Sequence, residues 1–165
     1  MSKLYVLRHG IAVPHGTPGV SEEERPLTPK GAKRMRQIGR GLRRLGIKPD
    51  RIVSSPLPRA MQTAEIVADV LGMSHRVEAS DALRADQSAE AIRDWLFARA
   101  EQCTMIVGHN PSLSELLGLL VIGATDPLLC ELKKGGVAAL STRPEGGFVL
   151  DWIAQPRLLR LVGDA

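Results

Sequence analysis

The chain has 165 residues, 44% of them hydrophobic and 24% charged, with a net charge of +4. This length and apolar content predict one globular domain over residues 1–165 with a sizeable core. Aromatic residues make up only 3%, which argues against nucleic-acid binding by base stacking, and no apolar run resembles a membrane span or a secretory signal. We therefore expect a cytoplasmic monomer that binds neither nucleic acid nor membrane.

Short β-rich runs alternate with amphipathic helical segments along the chain. Strands are predicted at Lys3–Leu7, Arg51–Ser54, His75–Glu78, Thr104–Val107, Val137–Leu140 and Phe148–Ile153. Helices are predicted from the N-cap Thr28 to Gly46, from Leu57 to Gly72, from Ser88 to Ala100, and after Pro111. The alternation predicts a three-layer α/β/α sandwich whose sheet of about six strands is mainly parallel. A turn at 142–147 makes the last two strands an antiparallel edge.

Several other side chains have structural interpretations. Cys103 and Cys130 lack metal-site spacing and are expected to be buried free thiols. Trp95 and Trp152 lie in apolar periodic runs and are assigned to the core. Ser55, which precedes Pro56, is expected to cap the second helix.

Three polar motifs stand at predicted strand ends. They are Arg8-His9-Gly10, Ser54-Ser55-Pro56-Leu57-Pro58-Arg59-Ala60 and Val107-Gly108-His109-Asn110-Pro111. Because the carboxyl ends of parallel strands meet at one edge of a sheet, we expect these motifs to converge. Two arginines and two histidines at one edge predict a pocket for phosphoryl transfer.

Phosphoryl transfer requires charged oxygens to be held while a nucleophile aligns with the leaving group. Arg8 and Arg59 suit the oxygens, because a guanidinium is a permanently charged fork. His9 suits the nucleophile, although the sequence leaves open which ring nitrogen attacks. His109 would contact a phosphoryl oxygen, as imidazolium if nearby anions hold it protonated.

Two further residues complete the predicted phosphate site. Gly10 is expected to let the backbone approach the bound group without an obstructing Cβ. Asn110 either contacts the ligand or orients a loop. This chemistry calls for neither a metal nor another cofactor.

The order Arg-His-Gly, Ser-Pro-x-x-Arg-Ala-x-x-Thr and Gly-His-x-Pro resembles the histidine phosphatase superfamily, which includes the cofactor-dependent phosphoglycerate mutases. Within it, Arg8-His9-Gly10-Ile11-Ala12, Arg25-Pro26-Leu27-Thr28 and Trp152-Ile153-Ala154-Gln155-Pro156 are similar to the SixA type of phosphohistidine phosphatases. The resemblance implies a phosphoglycerate mutase-like fold, a phosphorylated nucleophile at His9 and phosphate-pocket roles for Arg8, Arg59 and His109. Ala12 stands where mutase and sugar-phosphatase branches commonly have a polar residue, which weakens the mutase interpretation.

No convincing general acid can be identified from the sequence. Glu24 and Asp86 are the candidates, although both, like Glu22, Glu23 and Asp81, are more simply solvated loop residues. Hydrolysis of an ester needs such an acid, whereas a phosphohistidine can take its proton from solvent. Together with the lack of an insertion long enough for a lid, this favours phosphohistidine presented on a protein surface as the substrate.

Two alternative functions stay open: a phosphomonoesterase for small phosphorylated metabolites, and a non-catalytic phospho-ligand binding module. The predicted first helix also carries only basic charges, namely Lys30, Lys33, Arg34, Arg36, Arg40, Arg43 and Arg44. A solvated polar face is the favoured interpretation of this set. A patch that steers an acidic phosphoprotein towards the pocket is the alternative.

Overall fold

A six-stranded mixed sheet forms the centre of the computed structural model, which describes residues 1–125 and 131–165. In chain order its strands are β1 (Lys3–Arg8), β2 (Arg51–Ser54), β3 (Val77–Ala79), β4 (Cys103–Gly108), β5 (Val137–Thr142) and β6 (Phe148–Ala154). Their spatial order is β3-β2-β4-β1-β5-β6. The first four strands are parallel, whereas β5 runs antiparallel to β1 and β6 antiparallel to β5. The predicted mixed sheet is confirmed.

Helices cover both faces of this sheet. They are α1 (Pro29–Arg44), α2 (Pro58–Leu71), α3 (Ala89–Phe97), α4 (Ser112–Ile122) and α5 (Pro156–Asp164). One core cluster joins α1, α2 and α5 to the sheet, and the other joins α3 and α4 to its opposite face. The three-layer sandwich is therefore confirmed. None of the helices in the described part of the chain is long and apolar enough to cross a bilayer.

The predicted start of α1 is confirmed, and several predicted boundaries are wrong. The Thr28 side chain accepts a hydrogen bond from the Gly31 amide at 2.9 Å, as expected of an N-cap. The third strand begins at Val77, because residues 74–76 form a 3₁₀ turn. Helix α3 ends at Phe97 rather than near Ala100.

The structure partly corrects the assignment of side chains to the core. Trp152 is half-buried and its ring centroid lies 6.3 Å from that of Tyr5. Trp95 is also half-buried, with the Arg99 guanidinium 4.9 Å from its ring centroid. Cys103 is a free, half-buried thiol, and Cys130 lies outside the described residues. Both tryptophans thus pack at the margin of the core, where a large ring covers apolar side chains.

Helix α5 was not predicted, and it is attached closely to α1. A Cβ added at Gly41 would overlap the Leu159 carbonyl, and one added at Gly163 would overlap the Gln37 carbonyl. Arg40 and Arg44 reinforce this contact: the first binds the Asp164 carboxylate at 2.9 Å, and the second donates to the Val162 carbonyl at 2.6 Å. Part of the basic set on α1 therefore serves helix packing.

We expect Gly41→Ala to separate α1 from α5, because its new methyl group meets backbone that cannot rotate away. It should lower the free energy of unfolding in urea by about 2–3 kcal/mol. The matched control is Gly39→Ala in the same helix, whose Cβ would meet only the Val70 side chain, at 3.0 Å or more. Its cost should stay below about 1 kcal/mol, since alanine favours the helix. Equal losses of unfolding free energy in the two variants would contradict the close contact between α1 and α5.

Candidate active site

His9 and His109 meet at the carboxyl edge of the sheet. They directly follow β1 and β4, which are paired in parallel with Arg8 opposite Gly108. The His9 amide donates to the Gly108 carbonyl at 3.1 Å. The imidazole centroids lie 5.2 Å apart with their planes at 53°, and the two residues are only 5% and 3% exposed. The predicted convergence of the two strand ends is confirmed.

Two guanidinium groups lie beside these imidazoles. Arg8 ends β1, and Arg59 lies in the first turn of α2 with 3% exposure. Arg8 donates from Nη1 to the Leu132 carbonyl at 2.7 Å, and Arg59 donates from Nη1 to the Glu22 carbonyl at 2.8 Å. The Nε atoms of both arginines are buried without a hydrogen-bond partner among the described residues. The site therefore has more hydrogen-bond donors than acceptors, as a site for an anion requires.

The hydrogen bond of His9 identifies which of its ring nitrogens carries the hydrogen. Nδ1 lies 2.7 Å from the Gly10 carbonyl oxygen, and a carbonyl can only accept, so Nδ1 carries the hydrogen. The free electron pair is consequently on Nε2. Burial is the main cause that lowers the pKa of His9 to about 3; the Gly10 hydrogen bond opposes this, and the charges of His109, Arg59 and Arg8 add to it. The ring is neutral at physiological pH.

His109 is anchored by Ser55. Its Nε2 lies 2.9 Å from the Ser55 hydroxyl, which also accepts a hydrogen bond from the Leu57 amide at 3.3 Å. The N-cap of α2 is Leu57 and has no side-chain cap, so the predicted capping role of Ser55 is wrong. Burial, followed by the charges of Arg59 and Arg8, lowers the pKa of His109 to about 3. The imidazole is thus neutral at physiological pH.

Gly10 has a packing role that the sequence did not predict, and its predicted close approach to a bound group stays a prediction. A Cβ at this position would lie 2.7 Å from Cγ of Met35 and 3.2 Å from the Leu27 side chain. Glycine therefore lets the end of β1 pack against α1, on the side of the core. The Gly10 amide donates to the Thr63 hydroxyl at 2.9 Å, and that hydroxyl donates to the Arg59 carbonyl at 2.7 Å. This bridge fixes His9 relative to Arg59.

Asn110 performs one of its two predicted roles. Its side-chain amide donates to the Leu132 carbonyl at 3.1 Å, the same oxygen that Arg8 binds. The Gly135 amide in turn donates to the carbonyls of Arg8 and His9, at 3.0 and 3.2 Å. Asn110 thus orients the loop that leads into β5, and direct contact with a ligand stays a prediction.

Glu22 organises the arginines, a role the sequence did not reveal. Its carboxylate binds Arg25, lies 2.6 Å from Nδ1 of His15 and lies 3.7 Å from Arg59. Hydrogen bonds from Arg25 and His15 are the main cause that lowers the pKa of Glu22 to about 2. The carboxylate is therefore ionised at neutral pH. The sequence signal is only a carboxylate three residues before Arg25, a common spacing.

The two candidate general acids lie in different surroundings. Glu24 accepts a hydrogen bond from the Ser21 hydroxyl at 2.6 Å within its own turn. Asp86 is exposed and borders a cleft of about 420 Å³ that Arg59 also lines. Glu22 and Glu23 line the same cleft, and Glu23 pairs with Arg84 at 2.8 Å. Of the two candidates, only Asp86 borders this cleft.

Comparison with known proteins identifies the family. The sequence pattern of the histidine phosphatase superfamily (branch 1) matches residues 4–85. An uncharacterised protein of Picosynechococcus sp. PCC 7002 is 37% identical over 84% of each chain. The chain belongs to the histidine phosphatase superfamily.

Two further comparisons extend over nearly the whole chain. Phosphohistidine phosphatase SixA of Escherichia coli K12 is 24% identical, covering 96% of this chain and 97% of its own. The structure of the protein histidine phosphatase SixA complexed with tungstate has a TM-score of 0.82 at 24% identity, covering 94% of this chain and 97% of that one. This superfamily member therefore has the SixA fold. The structure of phosphoglycerate mutase from Bacillus anthracis str. Sterne also matches, with a TM-score of 0.75 at 15% identity, covering 99% of this chain and 97% of that one, so the phosphoglycerate mutase-like architecture is confirmed.

The site of this histidine phosphatase superfamily member is suited to phosphoryl transfer. A neutral imidazole with a free electron pair is a nucleophile, and two adjacent guanidiniums suit three anionic oxygens. Among residues 1–125 and 131–165, no three His, Cys, Asp or Glu side chains are grouped so as to hold a metal ion.

The two buried neutral histidines predict a loss of stability in acid. Their pKa values of about 3 lie below the ~6.5 of an unfolded histidine, so the unfolded chain binds more protons between these values. The stabilisation is fully present above pH 6.5 and is lost as the pH falls towards 3.

His109→Gln should reduce the slope of unfolding free energy against pH, measured in urea between pH 6 and 4, by up to about 1.4 kcal/mol per pH unit. The slope is the readout because the substitution also changes packing. An unchanged slope would show that His109 is protonated in the native state.

Proposed function

We propose that this chain is a phosphohistidine phosphatase that removes the phosphoryl group from a protein through a covalent intermediate on Nε2 of His9. One observation carries the proposal: a buried, neutral His9 with its electron pair on Nε2 stands beside Arg8, Arg59 and His109. The Escherichia coli relative is a phosphohistidine phosphatase, which supports this substrate class.

In the first step Arg8 and Arg59 hold the phosphoryl oxygens while Nε2 of His9 attacks phosphorus. A bond forms between Nε2 and phosphorus, and the bond between phosphorus and the substrate imidazole breaks. The substrate imidazole leaves with the electron pair of that bond and with a proton taken from solvent, so it departs neutral. Water then attacks phosphorus, and the bond between phosphorus and Nε2 of His9 breaks with its electron pair returning to Nε2. Inorganic phosphate leaves with the oxygen and the protons of that water, and the neutral imidazole of His9 is restored.

His109 assists by hydrogen bonding to a phosphoryl oxygen. In the free protein burial and the nearby cations lower its pKa to about 3. A bound phosphoryl dianion acts in the opposite direction and raises the pKa. The Ser55 hydroxyl at 2.9 Å fixes the ring while this occurs.

The carboxylates near the site favour a phosphoramidate over an ester. Glu22 is ionised, with its pKa lowered to about 2 by Arg25 and His15, so it is a poor proton donor at neutral pH. Glu24 is bonded within its own turn. An alkoxide leaving group needs an acid, whereas a protonated imidazole leaves without one.

A second candidate function, hydrolysis of small phosphate esters, is favoured by Asp86. This exposed carboxylate, unlike Glu24, borders the same cleft as Arg59, so of the two candidate acids it would be the one to protonate an alkoxide there. Such an enzyme would depend on Asp86 for esters.

Rapid quenching during turnover of a phosphohistidine protein should trap one acid-labile phosphate per chain, attached to Nε2 of His9. Nuclear magnetic resonance or proteolytic mapping of the labelled peptide identifies the nitrogen. His9→Asn should abolish both label and turnover, whereas His75→Asn, which removes an exposed imidazole, should retain both. Binding without any trapped phosphate or turnover would favour the non-catalytic binding module.

The proposed substrate class predicts a large difference in kcat/KM. A phosphohistidine protein should be hydrolysed about 100-fold or more faster than an alkyl phosphomonoester, the usual contribution of a missing general acid. Asp86→Asn distinguishes the second candidate: a loss of about 100-fold on the ester alone would assign Asp86 as the acid. Equal efficiency on both substrates in the wild type would contradict the phosphohistidine proposal.

A further inference from the structure

A second cleft, of about 290 Å³, adjoins the residues that follow His9. Gly10 and Ile11 line it together with apolar side chains, which include Ile38 and Pro156. It shares no lining residue with the cleft beside Arg59. This second cleft therefore offers a separate contact surface next to the nucleophile.

Among residues 1–125 and 131–165, only cations provide charge in the second cleft. Arg34 comes from α1, Lys134 from the loop before β5, and Arg160 from α5, and none of the described carboxylates lines the cleft. None of the three forms a salt bridge with an acidic residue in the described part of the chain. Three cations from three separate elements thus face a small volume without neutralisation.

The loop that carries Lys134 is fixed to the active site. The neighbouring Gly135 amide donates to the carbonyls of Arg8 and His9, and the Leu132 carbonyl accepts from Arg8. Burial, followed by the charge of Arg8, lowers the pKa of Lys134, and Arg25 and Arg59 add to this effect. The ammonium group is therefore within the electrostatic field of the phosphate pocket.

Helix stability does not explain Arg34. Its part of α1 is rich in cations, with Lys30 and Lys33 nearby and no acidic residue in the first turn, although the positive end of a helix dipole favours anions. At the other end of α1, Arg40 and Arg44 bind α5. Arg34 lacks such a contact with α5, and it borders the second cleft.

We propose that the second cleft binds a carboxylate side chain of the protein substrate, an Asp or Glu close to the phosphohistidine. The apolar walls suit the methylene groups of such a side chain, and the three cations suit its charge. This inference rests on the proposed function and names a feature of the substrate that the phosphate pocket alone would not select.

Two phosphohistidine peptides test the proposal, one with Glu residues around the phosphohistidine and one with Gln in their place. The wild type should prefer the Glu peptide by about fivefold to tenfold in kcat/KM, as expected for a few partly solvated ion pairs. Arg34→Gln combined with Lys134→Gln should reduce this ratio to about one. Lys134→Gln alone changes an exposed residue and should give an intermediate ratio, so the test does not depend on Arg34, which is partly buried.

The matched control is Arg36→Gln combined with Arg43→Gln, which removes two exposed charges from the same helix outside the cleft and should keep the preference. If the control lost the preference for the Glu peptide to the same extent, the preference would reflect general surface charge and the proposal would be overturned.

Equal rates of the wild type on both peptides would also overturn the proposal while leaving the phosphatase function intact. Absence of turnover on either peptide, with a small phosphate ester hydrolysed, would instead refute the proposed function on which the cleft depends. The proposal would also be overturned if a small bisphosphate inhibited the wild type strongly, the combined Arg34→Gln and Lys134→Gln variant did not respond to it, and a free Glu peptide did not inhibit. That result would assign the second cleft to a second phosphate.

Discussion

Parallel pairing of β1 with β4, from Lys3 opposite Cys103 to Arg8 opposite Gly108, determines where the two histidines lie. Each strand ends one residue before a histidine, so the shared register brings the imidazoles to 5.2 Å between centroids. A shift of one residue in this pairing would move one ring to the other face of the sheet. Burial of both strands on both faces makes such a shift costly, because their apolar side chains belong to the two core clusters.

This arrangement leaves positive charge and hydrogen-bond donors without full compensation. Arg8 and Arg59 are held by backbone carbonyls, and Glu22 is the carboxylate that lies close to Arg59, at 3.7 Å. Both histidines are neutral at physiological pH, and burial is the main cause of their low pKa values. An anion would relieve this imbalance, so the same charges that oppose protonation in the free protein favour phosphoryl binding.

The sequence predicted the parts of this site that depend on strand ends and local motifs. His9, His109, Arg8 and Arg59 each follow a β-rich run or begin a helix, so their shared edge follows from topology. The position of Ser55 before Pro56 predicts a cap for the second helix, and only the fold shows that its hydroxyl reaches His109 instead. Helix α5 is absent from the sequence-based prediction, although Pro156 at its first position is a common helix start; it spans only nine residues, of which Leu159 and Gly163 are buried.

The two clefts differ in charge, and under the proposed function this difference would make the site selective. The cleft beside Arg59 contains the carboxylates of Glu22, Glu23 and Asp86 together with Arg84, whereas the charged residues that line the second cleft in the described part of the chain are all cations. A phosphate bound between Arg8 and Arg59 satisfies the same donors in any substrate, so it cannot distinguish one phosphorylated protein from another. Charged side chains next to the phosphorylated residue can make this distinction, because the electrostatic potential differs between the two clefts. Selection would then depend on α1, α5 and the loop before β5, which supply the cations of the second cleft, rather than on the strand ends that hold His9 and His109.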